Sequence, residues 1–368
     1  MASILDYLDW RGDITFAERP FNEVDNLLLA ELSYLDFGGI VPADFAAAVP
    51  LSDAVAAFTK RTPHADMGVL VPDKIPGLAQ KMAASARFRD VLLSGYVCKL
   101  DEQTETQFAA LCAALPDGTV YAAFRGTDDT IVGWKEDFAM AFRRPVAAQE
   151  SAARYLADIA GLRDGPLMVG GHSKGGNLAV YAAANAPAAV QERLIAVFCH
   201  DGPGFDADFF DTPGYARVAP LVDKSVPESS IVGMLFEMRE HVEDGYTIVS
   251  SDGASIMQHF ALNWQVERGE FVHAGGLSAS SRYLARTING WMAKFDDEHR
   301  RRFIENLFAV LEAGGYDTFG ELTSHWTQSL PVMLAAVRGI DAEDRDVMAD
   351  VLKGFAATAA TSVIATKQ

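Results

Sequence analysis

Cysteine is scarce in this chain. Three occur in 368 residues, Cys98, Cys112 and Cys199, widely spaced and odd in number. No C-x-x-C pair is present, which excludes a zinc knuckle and a disulfide framework. Buried free thiols in a reducing compartment are the reading that remains. Positive charge is also short: 31 Lys and Arg stand against 50 Asp and Glu, a formal net charge of −19. So acidic a surface repels phosphate backbones and anionic headgroups, which argues against nucleic-acid partners and against docking on anionic membranes. No apolar run approaches the length that spans a bilayer. The opening Met-Ala-Ser-Ile-Leu-Asp lacks the basic start and apolar core of a secretory signal. No integral membrane segment and a cytoplasmic location are therefore expected. Repeats and low-complexity tracts are missing as well.

What is present reads as an α/β protein. Asn22 leads into a helix with Val24, Leu27, Leu28 and Leu35 on one side, and residues 41–90 continue as helices and loops punctuated by proline. From about 94 the texture changes. Segments 96–100 and 107–111 read as a hairpin, and 119–124 as a further strand after the Pro116-Asp117-Gly118 turn. Ala152, Tyr155, Leu156 and Ile159 then fall at i, i+3, i+4 and i+7, the apolar stripe of a helix. A short apolar run, 167–169, a helix from about 175 to Pro187, and an apolar strand, 194–198, complete the alternation that marks parallel βαβ units. Strands so uniformly apolar are expected where helices cover both faces. Ligands in such sheets bind at the carboxyl ends of the strands.

One motif lies at such an end. Gly171-His172-Ser173-Lys174-Gly175 matches G-x-S-x-G, with a buried strand before it and a helix after it. The turn strains the serine and lifts its hydroxyl above the sheet. Gly170, Gly171, Gly175 and Gly176 supply the room that strand and helix need to approach, and the helix N-terminus aims backbone N–H groups at developing negative charge. Ser173 is the candidate nucleophile, and the N–H of Lys174 is one oxyanion donor. The Lys174 side chain reads as a solvated charge.

A second segment, Phe124-Arg125-Gly126-Thr127 with Trp134 and Asp137 downstream, carries a resemblance. Together with Gly-His-Ser-Lys-Gly it resembles the class 3 lipases. More narrowly, 124–138, 170–177, Asp201-Gly202-Pro203-Gly204-Phe205, 230–235 and Gln258-His259 are similar to a bacterial lipase-3-like family of unassigned function, over roughly 95–265. The resemblance implies an α/β-hydrolase fold and puts Thr127 in the oxyanion hole.

A serine needs a histidine to take its proton and an acid to orient that histidine. The order in this fold is Ser, then Asp or Glu, then His. Segment 246–250 reads as the last strand, and His259 follows in the loop after it, so His259 is the expected base, with His273 as the alternative. His172 is expected to pack beneath the nucleophile. The class 3 pattern carries its acid after the preceding strand, where this chain has Ser230. Asp201, one strand earlier, is the expected acid, with Glu228 and Asp223 as alternatives.

The expected architecture is an α/β-hydrolase domain with a mainly parallel central sheet. Its core spans about 91–280, between an N-terminal helical region, 1–90, and a C-terminal helical region, 281–368, packed on the core. Phe303, Leu307, Val310 and Leu311 share a helix face there, and Asp341 reads as the cap of another helix. Loops 128–145 and 202–216 carry aromatic residues over the site. Segment 264–272 reads as a strand. The expected chemistry is carboxylic ester hydrolysis through Ser173, His259 and Asp201 on a small ester or acyl substrate, without cofactor or metal. Thioester, amide or acyl-transfer chemistry on the same triad, or a silent binding module, are the rival readings.

Overall fold

The computed structural model describes residues 2–340 and 345, apart from 66, 68–70, 102, 104, 129, 237–244, 254, 319–320, 323–324 and 338–339. Four helices come first, α1 Ile4–Arg11, α2 Glu23–Leu32, α3 Leu51–Arg61 and α4 Ile75–Ala84. Eight strands form one sheet in sequence order: β1 Val49–Pro50, β2 Leu92–Asp101, β3 Thr106–Ala114, β4 Val120–Phe124, β5 Leu167–His172, β6 Leu194–His200, β7 Val222–Pro227 and β8 Thr247–Val249. β1 to β4 pair antiparallel, and β4 to β8 pair parallel. The parallel part is threaded by α5 Ile131–Ala139 and α6 Ala147–Leu162, then α7 Lys174–Asn185 and α8 Ala188–Gln191, then α9 Ala207–Phe210 and α10 Pro213–Val218.

Consecutive parallel strands are direct neighbours here, so right-handed crossovers all land on one face. Leu156 and Ile159 of α6 and Leu178 and Ala182 of α7 pack there, against Val120, Ala122, Val169 and Val197. The other face falls to the N-terminal helices. Leu27 and Leu28 of α2, Val55 of α3 and Met82 of α4 share a core with Tyr121, Ala123, Met168 and Phe198. β4 thus sends alternate residues to two separate cores, the period of two that an extended backbone imposes. This mostly parallel sheet, covered on both faces and carrying a strand–turn–helix elbow after β5, is an α/β-hydrolase fold.

Three segments differ from the sequence-based expectation. Residues 128–145 contain α5, whose first turn is capped by the Thr130 hydroxyl accepting from Gly133 N at 3.2 Å. Ile131 of this helix packs in one core with Phe303, Leu307 and Leu311 of α12, Asp297–Glu312, with Trp134 and Phe138 beside it. The partners lie far along the chain, which is why the local pattern read as a loop. Residues 202–216 form the short helices α9 and α10, capped by Asp206 and Thr212. Segment 264–272 is broken at Arg268 and Gly269, both at positive φ, into a hairpin of β9 Val266–Glu267 and β10 Glu270–Phe271. α11 Ala279–Lys294 and α13 Trp326–Val337 complete the described helices. The helix expected after Asp341 lies outside the described residues. Cys112 and Cys199 are buried, but Cys98 is exposed.

Candidate active site

β5 ends at His172 and α7 begins at Lys174, so Ser173 alone makes the turn, at φ 59° and ψ −134°. That backbone is unfavourable for any residue with a Cβ, by about 1–3 kcal/mol, and the surroundings enforce it. A Cβ at Gly171 would meet the carbonyl carbon of Gly175 at 2.3 Å, and one at Gly175 would meet the carbonyl oxygen of Phe124 at 2.1 Å. The N–H of Ser173 donates to His200 O at 2.9 Å. Ser173 lines a cavity of about 40 Å³ with Thr127, Trp134, His172 and His259.

The carboxyl end of β6 supplies an acid. Asp201 directly follows it at φ 47° and is fully buried. Its Oδ2 lies 2.6 Å from His259 Nδ1. Its Oδ1 accepts from Ser230 Oγ at 2.5 Å and from Gly233 N at 3.2 Å. A carboxylate that engages Nδ1 holds the imidazole with Nε2 open to accept a proton. Ser230 stands where the class 3 pattern has aspartate, and it donates to the carboxylate that reaches the same point from the neighbouring strand. Among the described residues no hydrogen bond joins Ser173 Oγ to His259. Both line the same cavity, and such contacts tighten when substrate binds.

The alternatives lie elsewhere. His273 bridges to Val249 and lies near Glu23 and Asp223. Burial raises both carboxyl groups, and His273 opposes the rise. Glu228 is half-buried, its backbone bonded to Val249 and Ser278. His200 is buried under the sheet end, 3.2 Å from Asn26 Oδ1, and burial pushes it down to about 3. His241 lies outside the described residues.

On the other side of Ser173, the backbone N–H groups of Thr127 and Lys174 have no hydrogen-bond partner among the described residues. The hydroxyl of Thr127 is engaged, because it donates to Asp137 Oδ2. The Lys174 side chain, read from the sequence as solvated, is instead 1% exposed. Its Nζ lies 3.0 Å from Gln107 Oε1, 2.9 Å from Glu136 Oε2 and 3.3 Å from Asp137 Oδ1. Glu136 also accepts from the backbone N–H groups of Gln107 and Ala148, each at 2.9 Å. Burial alone would depress the ammonium, but Asp137 and Glu136 hold it above the usual lysine value. Burial lifts the Asp137 carboxyl to about 6 against the pull of Lys174 and Thr127. One buried cation thus ties α5 to the elbow and braces Thr127 through Asp137.

Two polar residues of the cavity wall went unread in the sequence. Glu31, in the last turn of α2, and Tyr34 just beyond it both line the cavity. A signal existed: Glu31 falls midway between Leu27 and Leu35 at four-residue spacing, a carboxyl in a stripe of leucines. Tyr34 is admitted by Gly126, where a Cβ would stand 2.1 Å from the tyrosine hydroxyl and 3.0 Å from Ser173 Cβ. His172 packs on His259 with ring centroids 4.7 Å apart and planes tilted by 34°, and its Nε2 lies 2.7 Å from His259 O.

The family model described as Mbeg1-like matches residues 82–309, more than half of the chain. The chain belongs to this family. The Mbeg1-like family is class 3 lipase-like. The matched segment holds Thr127, Ser173, Lys174, Asp201 and His259, whereas Glu31 and Tyr34 lie before it. Among solved structures, the chain is similar to M37 lipase at 12% identity, over 75% of this chain and 81% of that one, with a TM-score of 0.38. It is also similar to Rhizomucor miehei lipase in its propeptide complex, at 16% identity over 44% and 57%, with a TM-score of 0.29. At these scores neither likeness bears on activity. A search of curated proteins gives no match.

Proposed function

We propose that the protein is a serine-dependent carboxylic ester hydrolase working through Ser173, His259 and Asp201. The observation that carries this reading is the 2.6 Å contact between Asp201 Oδ2 and His259 Nδ1, beside a cavity that His259 shares with the strained Ser173. Ser173 Oγ attacks the ester carbonyl as His259 Nε2 takes its proton, and Asp201 stabilises the imidazolium. The oxyanion is met by the N–H groups of Lys174 and Thr127, each such donor contributing on the order of 100- to 1,000-fold in rate. The tetrahedral adduct collapses, His259 returns the proton to the departing alcohol, and water then releases the acyl group by the same route. The Thr127 hydroxyl, held by Asp137, positions this loop. The scarcity of cysteine and the acidic surface fit a reducing interior, and we place the protein in the cytoplasm as a single hydrolase unit with helical regions before and after its core.

The test is labelling of the purified protein with a fluorophosphonate, with mass mapping of the modified residue and Ser173→Ala as control. Stoichiometric modification at Ser173 is expected. No modification of folded protein by a small, uncharged fluorophosphonate would instead favour a hydrolase scaffold that binds without turnover.

A further inference from the structure

The cavity at Ser173 has a polar wall that ester hydrolysis does not require. Glu31 is 1% exposed, yet it lines this cavity, and its Oε1 has no hydrogen-bond partner among the described residues. His172 Nδ1 lies 3.4 Å from it and is also 3.4 Å from the Tyr34 hydroxyl. His172 cannot satisfy a carboxylate. Its Nε2 faces the carbonyl oxygen of His259 at 2.7 Å, and a carbonyl only accepts, so Nε2 carries the hydrogen. Burial, with His259 and His200 nearby, holds the His172 ring neutral by pushing it well below the usual histidine value. Nδ1 is therefore a lone pair, and a carboxylate placed opposite it is repelled. Burial accordingly lifts Glu31 to about 8. The cavity thus presents a buried carboxyl that lacks a donor, next to the nucleophile.

Its size points the same way. At about 40 Å³ it holds a few waters, far below the roughly 300–1,000 Å³ of sites that enclose drug-sized ligands. A short group fits inside it.

We propose that Glu31, flanked by Tyr34, is a recognition subsite for an amino or hydroxyl group carried a few atoms from the scissile carbonyl of a short ester. This deepens the reading of Ser173 as an acyl-transfer nucleophile and rests on it. The incoming donor supplies the partner that Glu31 lacks, and a free amine takes the proton of Glu31 to form an ammonium–carboxylate ion pair. An isosteric alkyl ester brings no donor to the carboxyl. Sites that hydrogen-bond a substrate group can reject the analogue lacking it by up to roughly 10,000-fold. The donor group sits on either the acyl or the alcohol half of the ester, and two substrate series separate these cases.

The experiment compares kcat/KM within isosteric pairs for the wild type, Glu31→Gln and Glu31→Leu. The acyl series pairs p-nitrophenyl β-alaninate and 3-hydroxypropionate with p-nitrophenyl butyrate, each corrected for spontaneous hydrolysis. The alcohol series pairs 2-aminoethyl and 2-hydroxyethyl acetate with propyl acetate, followed by proton release. Expected is a preference of at least about 10-fold for the donor-bearing ester in one series, expressed mainly in KM. Glu31→Leu is expected to erase it, and Glu31→Gln to retain the hydroxyl preference while losing the amine preference. Preferences within twofold in both series overturn the proposal, and the wild type alone can show this. A preference that survives in Glu31→Leu also overturns it. Turnover of alkyl esters with fluorophosphonate labelling at Ser173 leaves the parent reading standing in those cases. Absence of labelling and of all turnover overturns both.

Discussion

Replacing Asp201 by asparagine is the sharpest perturbation of the proposed triad, because it changes hydrogen-bonding character and almost nothing else. Asp201 sits at φ 47°, a left-handed backbone that asparagine also adopts readily, so no backbone penalty confuses the result. The carboxylate accepts from three donors: His259 Nδ1 at 2.6 Å, Ser230 Oγ at 2.5 Å and Gly233 N at 3.2 Å. An amide keeps one accepting oxygen, and the donors of Ser230 and Gly233 both converge on Oδ1. The NH2 group is thereby directed to His259. It donates to Nδ1, which forces the imidazole hydrogen onto Nε2, the atom required to take the proton of Ser173. The tautomer is then wrong for general base catalysis, and the imidazolium has lost its counter-charge. A change of this kind lowers kcat by roughly 10,000-fold, equivalent to about 5.5 kcal/mol of barrier. KM should move little, since Asp201 is fully buried and does not line the cavity. The assay is burst and steady-state hydrolysis of p-nitrophenyl acetate, with circular dichroism and melting to show that the variant folds. A kcat within tenfold of wild type in folded protein would falsify the assignment of Asp201. A large loss in Glu228→Gln alongside it would move the acid to Glu228.

Other outcomes follow from the same contacts. Ser230→Ala removes one of the three donors to Asp201, and a loss of about 10-fold in kcat is expected from a charge-assisted hydrogen bond of about 1.5 kcal/mol; an unchanged kcat would mean that Ser230 does not orient the acid. Lys174→Met strands Glu136 and Asp137 without their cation, and breaking such a buried cluster costs about 3–5 kcal/mol, so urea unfolding should shift strongly; a midpoint equal to wild type refutes the clamp. Glu31 ties stability to pH. Its carboxyl is raised from 4.5 to about 8 in the folded state, so the folded chain holds a proton that the unfolded chain releases. The resulting contribution is complete below about pH 4.5 and is lost as pH rises through about 8, with an upper limit on the order of 5 kcal/mol. Wild type minus Glu31→Gln, measured by urea unfolding from pH 5 to 9, should therefore fall with pH, and a flat difference would show that Glu31 is ionised throughout.

Much of the sheet was legible because its signals are local. The run 167–169 before two glycines, the stripe in 152–159 and the turn at Pro116-Asp117-Gly118 each report a backbone state within a few residues. The structure has β5, α6 and the β3–β4 turn in those places. α5 was not legible. Its apolar residues face α12, more than 160 positions away in the chain, and nothing near them says that such a partner exists. Lys174 misled for a related reason. A lysine directly before Gly175-Gly176 and four residues before the apolar run 178–180 reads as solvated, and only the approach of Glu136, Asp137 and Gln107 makes its burial tolerable.

The sequence by itself determined the elbow, the alternation of strand and helix from 119 to 198, and the candidate nucleophile, because glycine, serine and apolar period act over short distances. Only the tertiary structure decided which carboxylate meets His259, where the Lys174 ammonium resides and that Glu31 faces the cavity. Each of those depends on the carboxyl ends of parallel strands converging with helices from remote parts of the chain, and the energy of a buried charge or polar group is set by neighbours that sequence distance does not reveal.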